Sequence, residues 1–424
     1  MYQALVILMI TYFLIIVLPK ARAQVALLSA AVFVLLGYVP YRDVLPSIDW
    51  NVILMIRGMM GLVPLFIESG MPARLADLII WKMPDVKWAI IVLAVLAAGI
   101  SAFVDNVATV LMIAPVAISV SKKLRISPVP AVVSIAIASN LEGAATMVGD
   151  TTSIMLGGHA GMDFLDFFWF EGRPGLFFVV QLGMLFAIQV MLYLFRDYDQ
   201  EIIGGPLTKV QDYVPTFLIA AVIILLSAAS FFPDKPPITN GMICIIFMVI
   251  GIIRDMAKKK DLSLAWSLIK GRDAFTLVLL ASLFIVIKGV SNAGIIDQAS
   301  VMISGFAGDN VFLAYSIILW ASVFLSAFID NIPYVATMLP VVGLMASRLG
   351  MEPHLLYFGL ICGATLGGNL TPVGASANIT AIGLLRNEDI DVSAGSFMKI
   401  SVPFTLAAVT SAYFAVWYLW GSGF

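Results

Sequence analysis

The sequence predicts an all-α polytopic membrane protein made of inverted-topology repeats, each holding a re-entrant helical hairpin and a broken transmembrane helix. Three observations lead there. First, 61% of the 424 residues are hydrophobic and 12% charged, with a mean hydropathy of +1.02, whereas soluble domains carry about a quarter charged residues. Second, apolar runs long enough to cross a hydrocarbon core of about 30 Å recur along the whole chain, leaving no stretch for a separate soluble domain. Third, SAFVDNVATVLMIAPV (101 to 116) returns as SAFIDNIPYVATMLPV (326 to 341). The offset that carries Asp105-Asn106 onto Asp330-Asn331 also carries Pro115 onto Pro340, Pro128 onto Pro353, Thr146 onto Thr371 and Gly149 onto Gly374. A register held without a gap from 105 to 149 marks an internal duplication.

Taken in order, the first repeat (1–195) opens with spans near 3–19, 23–39 and 51–68 and an interfacial stretch at 71–86. The run at 3–19 lacks a basic segment before it and a small-residue cleavage site after it, and it reads as a retained span. Two short apolar arms, 88–103 and 107–121, meet at Asp105-Asn106 and form the first hairpin (88–121). The next segment, 129–158, is too long and glycine-rich for one regular helix, and NLEGAATMVGDTTS (140 to 153) should unwind within it. Such breaks persist in membranes only where protein or a polar cavity satisfies the backbone. FLDFFWFEGRP (164 to 174) reads as an interfacial aromatic belt, and a span at 175–195 closes the repeat.

A polar linker (196–213) leads to the second repeat (214–424). Its spans fall at 214–231 and 237–253, followed by a basic loop RDMAKKK and a span at 274–290. The second hairpin occupies 310–347, the second broken helix 355–384 around GGNLTPVGASAN, and the last span 400–421. If the first hairpin opens to the cytoplasm, most lysines and arginines fall inside, among them Lys20, Arg22, Lys122, Lys123, Arg125, Arg254, Lys258, Lys259, Lys260 and Lys270. Arg42, Arg173, Lys235 and Arg348 fall outside, which satisfies the positive-inside rule. The same trace opens the second hairpin to the exterior, where KKLR of the first copy has become SRLG. Duplicated halves of opposite orientation are the mark of inverted-repeat secondary transporters.

Each tip places a carboxylate and a carboxamide in an apolar run, where a charge costs roughly 2.5 to 3.5 kcal/mol even on lenient insertion scales. A bound ion or proton, or capping of the helix ends, must offset that cost. The candidate solute and ion ligands are Asp105, Asn106, Thr146, Asp150, Thr151 and Ser153 from the first copy, and Asp330, Asn331, Thr371, Ser376 and Asn378 from the second. The tip side chains Asp105, Asn106, Asp330 and Asn331 also offer the oxygen donors a sodium ion takes. Asp105, Asp330, Asp150 and Glu142 are the candidate proton carriers, with the tip aspartates first. Arg57, inside a span and without a basic equivalent in the second copy, reads as a salt-bridge partner for a carboxylate. His159 and His354 read as surface or interface residues. Cys244 and Cys362 read as small core residues. No Walker motif, metal-ligand pattern or nucleophile-base array points to an enzyme, a resident cofactor or nucleic acid.

FVDNVATVLMIAPV followed by NLEGAATMVGDTTS, then FIDNIPYVATMLPV followed by GGNLTPVGASAN, resembles the ion-transporter superfamily over nearly the whole chain. That superfamily holds bacterial arsenite permeases, NhaD-type sodium/proton antiporters, the melanosomal P protein and, more distantly, the sodium-coupled dicarboxylate carriers. The resemblance implies that hairpin tips and unwound segments form the solute and ion sites, and that a homodimer in a prokaryotic inner membrane works by alternating access. Two departures bear on the substrate. The tips read Asp105-Asn106-Val107 and Asp330-Asn331-Ile332 where dicarboxylate carriers have Ser-Asn-Thr, and Asp150-Thr151-Thr152-Ser153 stands where the P-protein pattern has Asp-Pro-Pro-Asn. The leading expectation is arsenite or antimonite efflux coupled to the proton gradient. The alternatives are sodium/proton antiport and sodium-coupled carboxylate transport, with H+ or Na+ as the coupling ion in each case.

Overall fold

The computed structural model describes residues 1–18, 21–202, 207–232, 234–259, 272–308 and 310–421. Part of the linker (203–206) and the expected cytoplasmic charges Lys20, Lys260 and Lys270 lie outside the described residues. The chain is almost wholly helical. Its first half runs α1 (Tyr2–Val17), α2 (Arg22–Leu35), α3 (Trp50–Glu68), α4 (Met71–Ile80), α5 (Val86–Ser101), α6 (Asn106–Leu124), α7 (Val129–Gly143), α8 (Thr151–Ala160) and α9 (Leu176–Leu194). The second half runs α10 (Val214–Ala229), α11 (Thr239–Lys259), α12 (Arg272–Asn292), α13 (Ile295–Ala307), α14 (Val311–Ser326), α15 (Asn331–Arg348), α16 (His354–Gly367), α17 (Ser376–Arg386) and α18 (Ala394–Trp420). Among the described residues, 6 helices are long and apolar enough to cross a membrane, or 7 if α13 and α14, bent by 118° at their junction, count as one span.

The offset between the two tips holds well beyond the motif. Shifted by it, α3 falls on α12, α4 on α13, α5 on α14, α6 on α15, α7 on α16, α8 on α17 and α9 on α18. The arms of the expected first hairpin are α5 and α6, of 16 and 19 residues, about 24 and 28 Å long at 1.5 Å per residue. Laid end to end they would overrun an apolar slab of about 30 Å, and instead they pack on each other and on α7. In the second half α14 and α15 pack on α16 in the same way.

Caps set the boundaries. Asp85 and Asn310 accept from the backbone N–H of Trp88 and Leu313 at the starts of α5 and α14. Asp105 Oδ1 accepts from Ala108 N (3.1 Å) and Asp330 Oδ1 from Ile332 N (3.2 Å) at the starts of α6 and α15. Both tip aspartates therefore answer orphan N–H groups at a helix start.

The breaks also match. Asp150 precedes α8 with φ −142° and ψ 153°, and Ala375 precedes α17 with φ −137° and ψ 145°. Beyond each break the chain crosses to the other half: α17 packs on α6 and α7, and α8 packs on α15 and α16. This exchange draws both breaks and both tips into one buried region. The outer helices are exchanged as well, with α2 against α12 and α11 against α3.

Two elements differ from the sequence reading. RDMAKKK is not a loop through Lys259, since α11 continues to that residue; Arg254 and Lys258 sit on its final turns, where both bond Asp212. Helix α13 was not expected, although it answers α4. Cys244 and Cys362 are free and buried. The aromatic belt folds into a short 3-10 turn (Phe164–Phe167) and a two-stranded hairpin pairing Trp169 with Pro174.

Candidate functional site

The two breaks are bolted to the two tips by equivalent bonds. Thr146 Oγ1 donates to the carbonyl of Ala102, and its repeat counterpart Thr371 Oγ1 donates to that of Ala327, the counterpart of Ala102. Ser153 Oγ donates to Gly143 O (3.1 Å) and Asn378 Nδ2 to Gly368 O (3.1 Å), each tying the second half-helix to the end of the first. Glycine is required where break meets tip. A Cβ on Gly149 would lie 2.8 Å from Ser101 O, 2.9 Å from Gly143 O and 3.0 Å from Ala102 O. On Gly374 it would lie 2.9, 2.6 and 2.8 Å from the corresponding carbonyls of Ser326, Gly368 and Ala327. Thr146, Thr371 and Ser153 thus hold backbone.

From this shared frame the duplication builds two unequal polar centres. At the first tip, Asn106 Nδ2 donates to Asn140 Oδ1 (2.8 Å), and Asn140 Nδ2 donates to Asn369 Oδ1 (2.8 Å) and Asn378 Oδ1 (3.1 Å). Asn369 and Asn378 spend their own N–H groups on the carbonyls of Ile137, Gly368 and Thr371. Four buried amides from the two halves form one bonded chain with no formal charge.

At the second tip the corresponding asparagine, Asn331, donates to Asp150 Oδ2 (3.2 Å). Thr152 Oγ1 donates to the same oxygen (2.9 Å) and lies 3.1 Å from Thr365 Oγ1. Thr365 is the counterpart of Asn140, while the counterparts of Asp150 and Thr152 are Ala375 and Ala377. This second centre therefore contains a buried carboxylate whose bonded partners Asn331 and Thr152 are neutral. Asp150 also lies within electrostatic reach of Asp105 and Asp330, which places the three acidic groups around one region. Among the described residues no three His, Cys, Asp or Glu side chains come close enough together to hold a metal ion.

The remaining expected residues fall as follows. Asp330 is half-buried; its Oδ2 accepts from Arg22 Nη1 (2.5 Å) and Ser376 Oγ (3.3 Å). Thr151 is buried in the first turn of α8. Glu142 is buried on α7, where both carboxylate oxygens accept from Gln181 Nε2 on α9 (2.9 and 2.8 Å). Two residues after Asn140, it points to the opposite side of the helix and stands apart from both centres. Arg57 is half-buried on α3. His159 and His354 lie at the ends of α8 and α16, both edge-on to Tyr357. Sequence reasoning did not single out Asn140, Asn369, Thr152, Thr365, Gln181 or Arg22. The asparagines and Thr152 lay inside the quoted break segments, and a polar side chain in a glycine-rich interruption was the only available signal.

A family model described as "Citrate transporter" matches residues 12–363 and 276–422. An uncharacterized transporter of Mycobacterium tuberculosis is 30% identical over 411 residues, covering 94% of each chain. The human P protein is 26% identical over 446 residues, 86% of this chain and 52% of its own. Among solved structures, the YdaH transporter of Alcanivorax borkumensis superposes with a TM-score of 0.62 at 12% identity, covering 89% of this chain and 87% of that one. MtrF of Neisseria gonorrhoeae, from a class of antimetabolite efflux pumps, gives 0.56 at 15% identity, covering 95% and 85%. At these identities the solved structures speak for the fold alone.

Proposed function

Because this chain belongs to the citrate transporter family, we propose that it is a secondary-active carrier for a small oxygen-rich acid, coupled to proton movement at Asp150. It is a multi-pass integral membrane transporter, and its bacterial relatives support a prokaryotic inner membrane. The observation that carries the proposal is the inequality of the two centres. A chain of amides donates to and accepts from hydroxyl or carboxyl oxygens without adding charge, so the first centre suits the solute. A buried carboxylate bonded to an amide and a hydroxyl can exchange a proton without stranding a bonded cation.

The two broken helices aim half-helix ends at the same region, adding partial charges for an anionic group and its partner ion. The convergence of tips and breaks from both halves supports alternating access by two repeats of opposite orientation about a common site. A membrane potential of 100 mV and one pH unit supply about 3.7 kcal/mol per proton, enough for accumulation without nucleotide hydrolysis. The substrate test uses proteoliposomes with citrate, arsenite and sodium offered in turn under an imposed pH gradient. The expected outcome is that citrate or arsenite moves and collapses the gradient. If sodium alone does so, the chain is a sodium/proton antiporter. That reading is favoured by the acidic residues at both tips, and it would displace the one adopted here.

A further inference from the structure

We propose that α1 and α2 form a charge-matched clamp on the second tip, in which Arg22 neutralises Asp330 and so positions the tip whose Asn331 bonds Asp150. Arg22 opens α2 and would ordinarily be read as a cytoplasmic charge. Its guanidinium instead meets Asp330 at 2.5 Å, with the two side chains 30% and 17% exposed. Its neighbour helix grips the same tip: Tyr12 OH on α1 donates to Pro333 O (2.7 Å) and bonds Thr337 Oγ1. Thr11 and Ser29 hydroxyls, 2.7 Å apart and buried, fasten α1 to α2. The duplication provides no second copy of this arginine, since Phe247 stands at the corresponding position of the second repeat.

The division of labour at Asp330 follows from its two oxygens. Oδ1 is spent on the cap of α15, and Oδ2 accepts from Arg22 and Ser376. Removing either member of this pair would strand the other's charge in a partly buried site. Asp150, bonded to Asn331 and Thr152, has no cation among these bonded partners. The titratable and charged groups facing this end are Arg22 from α2, Tyr12 from α1, Asp105 at the start of α6, Asp150 from α8 and Tyr334 within α15. Lys288 on α12 is exposed, Tyr357 of α16 lies against Gly343, and Arg348 with Asp297 of α13 sits at the far end of α15.

The inference rests on the carrier reading for its flux arm and is independent of it for its stability arm. The full chain is prepared as wild type, Arg22→Gln, Asp330→Asn, the double variant and Arg22→Lys. In detergent, each neutralising single substitution should lower the melting temperature, and the double variant should regain at least half of the larger loss. In proteoliposomes with citrate or arsenite, Arg22→Gln should cut proton-coupled flux about 10-fold, equivalent to about 1.4 kcal/mol. Arg22→Lys should retain most of the flux. Additive losses of stability, or wild-type flux in Arg22→Gln, would overturn the proposal. Coupled melting with no flux for any solute in any variant would support the clamp and reject the carrier.

Discussion

Removing Asn140 tests the amide chain that joins the two halves. Asn140→Ala deletes one acceptor and one shared donor at a position 1% exposed. It strips partners from three buried atoms: Asn106 Nδ2, Asn369 Oδ1 and Asn378 Oδ1. Hydrogen bonds between membrane helices average about 0.6 kcal/mol each, which sets a floor of about 2 kcal/mol for three. Leaving buried polar groups unsatisfied costs about 1–3 kcal/mol apiece, which sets a ceiling near ~6 kcal/mol if two of the three find no water. Asn140→Thr installs the residue found at the equivalent place in the second half. Its hydroxyl can restore one donor and one acceptor, so its loss should be about half that of alanine. Unfolding in a denaturing detergent gives the free energies, and reconstituted flux gives the function. Asn140→Ala within about 0.5 kcal/mol of wild type, the range of an ordinary surface change, with flux intact, would refute the claim that these amides hold the halves in register.

Other outcomes follow from the same geometry. Gly149→Ala and Gly374→Ala press a methyl group against three carbonyl oxygens each. Both should lose at least the roughly 1–3 kcal/mol typical of overpacking, with Gly374→Ala the worse because its contacts are tighter; equal thermal stability to wild type would count against the tip-to-break docking. Gln181→Leu leaves the buried Glu142 carboxyl without that donor and should cost about 1–3 kcal/mol, whereas Glu142→Gln, measured in parallel, should cost less. At the base of α11, Arg254 donates to Asp212 at 2.6 and 3.1 Å, and this pairing, with Lys258 beside it, holds the Asp212 carboxyl below the usual range. A depressed carboxylate pKa gives stability that is present above its unfolded value and lost as the pH falls through the folded one. Arg254→Gln should therefore melt below wild type at neutral pH, with the gap closing below about pH 4; a gap unchanged by acid would exclude that pairing as its source.

The duplication, the hairpins and the breaks were legible because each leaves a local mark. A repeat survives as spacing, a tip as two charged or amide residues between apolar arms, and a break as glycine and threonine inside a span. The match of Thr146 and Thr371 to equivalent carbonyls could be expected from the register alone. What pairs across the halves left no such mark. Arg22 and Asp330 are 308 residues apart, and hydropathy assigns an arginine at a helix start to the interface whatever it touches. Asn140 and Thr365 look interchangeable as polar residues in apolar helices, yet one anchors an amide chain and the other meets the hydroxyl of Thr152, which bonds the Asp150 carboxylate. Helix α13 was missed because Asp297 and the glycines beside it read as punctuation, although its partner α4 had been noted. The resemblance to the ion-transporter superfamily holds, while arsenite as the solute rests on the carrier proposal.

The central claim is that Asp150 couples proton movement to a solute held by the amide centre, and Asp150→Asn addresses it directly. The variant keeps an oxygen for Thr152 and removes the proton exchange. Reconstituted with whichever solute the wild type moves, it should still exchange labelled for unlabelled solute across the membrane, yet fail to accumulate solute when a pH gradient is imposed. Gradient-driven accumulation at the wild-type level in Asp150→Asn would contradict the account.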